Sequence, residues 1–406
     1  MKDYTRVWAE IDLDAFYNNV IAMKEAVGEA SVKLCAVIKS DGYGHGAAPI
    51  ARTIDPLVWG YAVATFAEAR NLRENGIEKP VLILGFVDER DFKDCIRLNL
   101  RLAFYDSCMT EPAIKAVREY REETGDNTAA LLIHVKLDTG MGRIGFMCYD
   151  EEHRRSSVAA ICEALSHDEL KAEGCFMHFS KGDERDKSFA MLQHDRFMET
   201  IGLLKKEGIS FSICHCDNSA GIIDMPKWHC DMVRMGITLY GMYPSDEVDK
   251  TRLSIRPCLS LRSRLVFIKT VPAGTMISYG GTYITKKEMR IGTVPVGYAD
   301  GYSRALSNKG SVLICGKRAP IVGRVCMDQF MVDLSGIPEA KRFDEVTLIG
   351  EDGSEAVTAD ELAGLIGTIN YELVCDISKR VPRVYYRSGK RVGSKDYFDD
   401  IYEPFD

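Results

Sequence analysis

The feature that most constrains the fold is an alternation. From the N-terminus to about residue 240, short apolar runs recur, and stretches with helical spacing separate most of them. The runs are Leu34–Lys39, Trp59–Ala64, Val81–Phe86, Arg101–Tyr105, Ala130–Leu137, Leu170–Phe179, Phe211–Cys216 and Met232–Tyr240. Phe66–Gly76 and Met191–Gly208 are clear helical stretches, and "DNSAGIIDMPKWHCD" is the weakest. Strands alternating with helices imply βαβ units around a parallel sheet. About eight such units close a (β/α)8 barrel. A doubly wound open sheet is the competitor, but it calls for GxGxxG after the first strand, and "GYGHG" does not match.

After about Pro244 the rhythm changes. Arg262–Val271, Met289–Val296, Gly310–Cys315, Ala319–Val325, Gln329–Leu334 and Glu345–Ile349 read as short strands between turns, and only Thr358–Gly367 looks helical. The expected architecture is therefore α/β: an N-terminal (β/α)8 barrel over 13–245, then a mostly-β C-terminal domain over 246–406. At 406 residues the chain is too long for one ordinary core, which agrees with two domains.

Charge excludes some partners. Lys and Arg number 52 against 60 Asp and Glu, a net −8 spread without long blocks, so neither nucleic acid nor an anionic membrane finds a concentrated basic face. No apolar window is long enough for a membrane span, and "MKDYTRVWAEIDLD" lacks the apolar core of a signal peptide. Thirteen scattered cysteines, many in apolar runs, suit reduced thiols in the cytoplasm. In "CHCD" (Cys214, His215, Cys216) adjacent residues of a strand point to opposite faces and no second pair completes a tetrahedral set, so no metal is expected.

In a parallel barrel, chemistry collects at the C-terminal ends of the strands. Lys39 ends the first run, His178 lies near the end of the sixth, Asn218 and Ser219 follow the seventh, and Arg234 lies in the eighth, just before Gly236. Each alone has an ordinary reading: a solvated cap, a core histidine, a turn, half of an ion pair with Asp231. Together they offer an amine, an imidazole, an anion cradle and a guanidinium. Desolvation and neighbouring cations lower a lysine pKa, and the neutral amine forms a Schiff base with an aldehyde. If the aldehyde carries a phosphate, backbone N–H groups must come close, and Gly42, Gly44, Ser219 and Gly236 suit that role. Pyridoxal 5'-phosphate (PLP) is such an aldehyde.

Longer motifs point to a family. "AVIKSDGYGHGA" resembles the cofactor-lysine motif of alanine racemases, PLP enzymes built from a barrel and a β domain. "WAEIDLDAFYNNV", "VKLDTGMGRIGF", "MHFS", "HCDNSAG", "MVRMGITLYG", "SYGGTY", "VGYADG", "VGRVCMDQFMVDL" and "RVPR" follow in the family's order over nearly the whole chain. The resemblance places strand Val7–Ile11 with the β domain. It implies an amino-acid isomerase that interconverts L- and D-alanine and supplies D-alanine for bacterial peptidoglycan.

The resemblance also implies roles. Lys39 would hold PLP and act as one base; Tyr279, from the β domain of a partner subunit, would be the other, so a homodimer with composite sites is implied. His178 would link that Tyr279 to Arg234, which would face the pyridine nitrogen of PLP. Tyr43, Asn218, Ser219 and the backbone of Gly236 and Ile237 would bind the cofactor. Arg143 would meet the substrate carboxylate, with Lys136 on the same strand, a position that carries a carbamate in some relatives. Met327 and Asp328 would lie beside the substrate from the partner subunit's side, and Tyr298 at the entrance. Some members have a tyrosine just before "RVPR"; here it is Lys379, which would serve the phosphate as a point charge and line the entry differently. Serine or broad-specificity racemisation is therefore the alternative substrate reading. A PLP-dependent decarboxylase, a non-catalytic PLP carrier and a nicotinamide-dependent oxidoreductase are the rival functions.

Overall fold

A computed structural model describes residues 4–397. The chain forms two compact units. One comprises residues 16–42 and 47–256; the other takes the residues up to Ala15, Tyr43–Gly46 and those from Pro257 onward. The first strand, β1 (Val7–Asp12), belongs to the second unit, where it pairs antiparallel with one neighbour and parallel with another.

The first unit is the barrel. Its strands are β2 (Lys33–Val37), β3 (Gly60–Val63), β4 (Val81–Ile83), β5 (Leu100–Phe104), β6 (Leu131–Asp138), β7 (Leu170–Phe176), β8 (Ile213–His215) and β9 (Met232–Met235). They run parallel in the order β9–β2–β3–β4–β5–β6–β7–β8. Backbone bonds from Asp231 N to Cys214 O (3.0 Å) and from Arg234 N to Asp217 O (3.3 Å) bring β9 back beside β8 and nearly close the ring. Every residue of β3, β4 and β5 is buried, which is why these strands read as unbroken apolar runs.

The connecting helices are α1 (Leu13–Val27), which enters from the second unit, α2 (Ala47–Ile54), α3 (Phe66–Glu74), α4 (Phe92–Arg97), α5 (Thr110–Thr124), α6 (Glu151–Ala164), α7 (Ser188–Lys206) and α8 (Ser219–Asp224). Helix α3 starts with a full capping box between Thr65 and Glu68. The expected strands overran their ends. The run to Tyr240 is strand only to Met235, after which Ile237–Tyr240 forms a 3-10 turn, and the run to Phe179 stops at Phe176. Side chains stay buried past the last ladder bond, so hydrophobicity alone does not mark where pairing stops.

The second unit is mostly β. Its further strands are β10 (Leu259–Arg264), β11 (Phe267–Val271), β12 (Met289–Val294), β13 (Ser311–Ile314), β14 (Lys317–Pro320), β15 (Phe330–Asp333), β16 (Glu345–Asp352), β17 (Arg383–Arg387) and β18 (Lys390–Lys395). One sheet follows the order β14–β13–β16–β10–β1–β17–β18, with Glu355–Val357 pairing on β16; another is β11–β12–β15. Val271, Ile277, Met289, Ile291 and Val322 form a buried cluster beside the smaller sheet. The single expected strand Arg262–Val271 is two, one in each sheet, and Ala319–Val325 is replaced by Lys317–Pro320. Among its described residues two helices occur rather than one, α9 (Ala359–Ile366) and α10 (Asn370–Cys375). Six residues are too few to display a helical period. Strands β17 and β18 also escaped the sequence; "KRVGSK" alternates exposed with half-buried residues and looks like coil.

Candidate active site

Lys39 stands two residues past the end of β2, and the backbone behind it is unusual. Ser40, Asp41 and Gly42 have φ of 52°, 50° and 64°, and Gly42 N donates to Ile38 O at 2.9 Å. The chain makes a left-handed turn, which costs about 1–2 kcal/mol for each non-glycine residue. Glu68 restrains it: its Oε1 accepts from Ser40 N at 2.6 Å while its Oε2 accepts from Ala64 N (2.8 Å) and Thr65 N (3.2 Å). Asp41 Oδ1 accepts from Ala47 N at 2.8 Å, tying the turn to the start of α2. Glu68 was not among the expected site residues, although "TFAE" carries the capping-box signature.

The glycines here have a steric reason of their own. A Cβ on Gly42 would lie 2.8 Å from Ile50 Cδ1, and one on Gly46 would lie 2.0 Å from Tyr385 Oη. Tyr43–Gly46 belong to the β unit. There the buried Tyr43 ring lies 6.0 Å from that of Tyr371, and Arg383 Nε donates to Gly44 O at 2.8 Å.

Arg234, on β9, is buried and held by acceptors. Nη1 donates to His215 Nδ1 (2.8 Å) and His215 O (3.2 Å); Nη2 donates to Met177 O and Cys216 O (both 2.9 Å) and to His178 Nδ1 (3.3 Å). Nε is its one nitrogen with no acceptor among the described residues. The alternative reading of Arg234, an ion pair with Asp231, finds no such pair among the described residues; Asp231 Oδ2 accepts from Cys214 N.

The contacts of Arg234 set the tautomers of its neighbours. A guanidinium only donates, so Nδ1 of His215 and Nδ1 of His178 must accept. Burial and the Arg234 charge hold both histidines well below their ordinary pKa, so both are neutral with the proton on Nε2. His215 Nε2–H then donates to His134 Nδ1 (2.9 Å), and His134 Nε2–H donates to Glu173 Oε2 (3.1 Å). Arg101 closes the chain with a two-pronged contact to Glu173 at 3.0 and 3.2 Å. This polar relay through the barrel interior was missed by the sequence reading. Its members lie on β5, β6, β7, β8 and β9, and no local spacing links them.

Positive charge collects around His178. Arg234, Lys136, Arg143 and Lys39 are the charges that depress its pKa after burial. Lys136 is buried on β6; burial first and Arg234 second lower its amine to about 7. Its Nζ donates to Leu137 O at 2.7 Å and sits 5.3 Å from the centre of the Phe176 ring. Arg143 is exposed on the loop after β6. Asp138 shapes that loop. Its carboxylate accepts from the backbone N–H of Gly140, Met141 and Gly142 and from Tyr149 Oη at 2.8 Å. Burial alone would raise the Asp138 pKa; these bonds and Lys136 bring it below the ordinary value.

Two helix starts meet beside this cluster of strand ends. Ser219 Oγ accepts from Gly236 N (3.0 Å) and Thr238 N (3.3 Å), joining the first turn of α8 to the 3-10 turn after β9. Asn218 caps α8, its Oδ1 accepting from Ala220 N and Gly221 N. Such paired N-termini favour an anion.

The remaining predicted residues lie on the β unit. Tyr279 is 71% exposed, in a turn where Ser278 and Gly280 have φ of 64° and 71°. Ser278 Oγ donates to Arg324 O, and the Tyr298 turn bonds through Tyr298 N to Cys326 O and Ala299 N to Met327 O. Tyr279, Tyr298 and Met327 therefore share one bonded loop cluster, and all three are exposed. Asp328 pairs with Arg380 at 2.5 Å. Lys379 is exposed, with Nζ 5.8 Å from the centre of the Tyr397 ring.

The sequence matches the family model of the alanine racemase N-terminal domain over residues 11–244 and that of the C-terminal domain over 258–385. The chain belongs to the alanine racemase family. The alanine racemase of Desulforamulus reducens is 44% identical over 380 residues, which cover 93% of this chain and 98% of the relative. The solved structure of alanine racemase from Clostridium difficile 630 has a TM-score of 0.89 at 40% identity, covering 98% of this chain and 100% of that one. Alanine racemase from Bacillus anthracis, solved with bound L-Ala-P, gives 0.89 at 38% identity, covering 99% and 100%.

Alanine racemases depend on PLP, and the barrel residues of this alanine racemase family member fit that group. The Ser219–Gly236 cradle suits a phosphate, the amine of Lys39 suits an aldehyde, and the spare Nε–H of Arg234 suits an unprotonated pyridine nitrogen. Four cations suit a group that brings phosphate beside a substrate carboxylate.

Proposed function

We propose that this chain interconverts L- and D-alanine as a cytoplasmic homodimer, using two opposed bases, Lys39 and the partner subunit's Tyr279. PLP would be held by Lys39, by Ser219 with Asn218 and the backbone of Gly236 and Ile237, by Arg234, and by Tyr43 and Lys379 near the phosphate. Bound there, it would supply the electron-withdrawing system that acidifies the substrate Cα–H. Lys39 Nζ takes or returns a proton on one face of Cα, and Tyr279 Oη serves the other. Two bases avoid moving one base across the substrate.

His178 and Arg234 tune the tyrosine. A free tyrosine titrates near ~10. Neutral His178 keeps Nε2–H to donate to a phenolate, and the Arg234 charge behind it favours that anion. Arg143 pairs with the substrate carboxylate. Lys136, with its amine at about 7, is uncharged often enough to take up carbon dioxide as a carbamate beside Arg143. Met327 and Asp328 limit the room beside the methyl group, and Tyr298 narrows the entrance.

The observation that carries this reading is the convergence of Lys39, His178, Lys136, Arg143 and Arg234 at the strand ends of one barrel. The exposed cluster bearing Tyr279, Tyr298 and Met327 supports a composite site, because apolar surface of that kind marks interaction faces. No helix among the described residues is long and apolar enough to cross a membrane. D-alanine for bacterial peptidoglycan is the use we infer from the family.

The test is chiral chromatography after incubating PLP-loaded protein separately with L-alanine and L-serine. D-alanine should form faster. Faster D-serine would transfer the mechanism to serine, the alternative that Lys379 motivates. No D-product from either would refute the reading. A mixture of Lys39→Ala and Tyr279→Phe proteins tests the dimer. Each should be inactive alone, whereas subunit exchange in a two-fold dimer should restore about a quarter of the sites. No recovery despite demonstrated exchange would exclude composite sites.

A further inference from the structure

Away from the catalytic cluster, three soft donors converge. His194 lies on α7, Cys216 directly follows β8, and Cys230 precedes β9 in a left-handed conformation with φ of 50°. Their donor atoms all lie within 4.8 Å of one another. Adjacent Cys214 and His215 take no part: His215 faces the barrel interior, bonded to Arg234 and His134. The metal reading set aside for "CHCD" thus returns with different partners, two of them distant in sequence.

We infer that Cys216, Cys230 and His194 form a binding site for one soft divalent cation of the Zn²⁺ type. The two sulfurs are 3.8 Å apart. Two thiolates bound to tetrahedral Zn²⁺ at about 2.3 Å lie about 3.8 Å from each other, so the pair is already spaced for coordination. The His194 ring is oriented by stacking on Trp228, with centroids 4.7 Å apart and planes at 15°. A water takes the fourth position.

Charge and protons balance. Both thiols release a proton on coordination, and His194 supplies a ring lone pair. Two thiolates neutralise the divalent ion, which suits a position where Cys216 is buried. Cys216 Sγ, 2.8 Å from Trp228 O, gives up its bond to that carbonyl when its proton leaves.

Position gives the site a purpose. Cys216 O accepts from Arg234 Nη2, and Asp217 O accepts from Arg234 N. A metal joining α7 to the approaches of β8 and β9 braces the segment that holds Arg234. This inference does not depend on the reaction performed.

The test uses PLP-loaded protein, cleared of metal by a chelator and kept reduced with a phosphine, then titrated with Co²⁺. One equivalent should produce the intense d–d bands of tetrahedral Co²⁺ with a thiolate-to-metal charge-transfer band, and Zn²⁺ should displace both. Cys230→Ser should lose these bands and His194→Gln should weaken them. Zn²⁺ should raise the unfolding temperature of wild type and not of Cys230→Ser, while circular dichroism shows that the variant is folded. A weak octahedral spectrum, or bands unchanged in Cys230→Ser, would overturn the proposal. So would a Cys216–Cys230 disulfide forming under mild oxidant in protein that binds no Co²⁺, since the pair would then be a redox couple.

Discussion

Glu173 anchors the relay that reaches Arg234, and its replacement by glutamine has a calculable cost. Burial alone would raise the Glu173 pKa; His134 and Arg101 more than offset this and bring it from an ordinary 4.5 to about 2. At about 1.4 kcal/mol for each tenfold, that is about 3 kcal/mol of stabilisation. The side chain keeps 21% of its surface in solvent, so screening reduces this to about 2 kcal/mol. The folded pKa is depressed, so the stabilisation is complete above the unfolded pKa of 4.5 and is lost as pH falls toward 2. Glu173→Gln keeps the shape and removes the charge opposite buried Arg101. Urea unfolding should show the variant about 2 kcal/mol less stable at pH 7, with about half of that difference gone by pH 3. Equal stability at pH 7, or a gap that does not change with pH, would refute the assignment of an ionised Glu173 at the end of the relay.

Other expectations follow from the same geometry. Glu68→Ala removes the acceptor for three backbone N–H groups around the left-handed turn; stability should fall by about 1–2 kcal/mol and turnover should fall with it, read by denaturation and the chiral assay. Gly46→Ala drives a Cβ against Tyr385 Oη at a φ of 101°, so folding yield and unfolding temperature should drop, by more than about 2 kcal/mol in stability. Lys136→Met removes a buried amine whose pKa is lowered to about 7; the charged form is disfavoured in the fold, so its cost is full below pH 7 and fades toward 10.5. The variant should be more stable than wild type by about 1–2 kcal/mol at pH 6, with a smaller gain at pH 9, and any stimulation of activity by bicarbonate should vanish.

Much of this molecule was legible in one dimension because its requirements are local. A parallel strand covered on both faces must be apolar along its length, so β3, β4 and β5 announce themselves. Lys39, His178, Ser219 and Arg234 were legible because a barrel gathers strand ends at one rim, whatever the intervening sequence. The capping box at Thr65–Glu68 is equally local, yet its second use, restraining the turn behind Lys39, is not: Ser40 and Glu68 lie 28 positions apart.

Tertiary structure decided the rest. The route Arg234–His215–His134–Glu173–Arg101 crosses five strands, and each link is a hydrogen bond between residues whose separation in sequence carries no signal. The glycines of "GYGHG" looked like a turn open to a phosphate; their packing against Ile50 and Tyr385, which makes glycine necessary there, is visible only in the fold. Cys216 looked like a neighbour of Cys214 and His215, whereas closure of the barrel brings Cys230 and His194 to it. Side-chain type and periodicity are properties of the chain; which distant groups share a proton, a charge or an ion is set only when the sheet closes, because those energies depend on separations of a few ångströms.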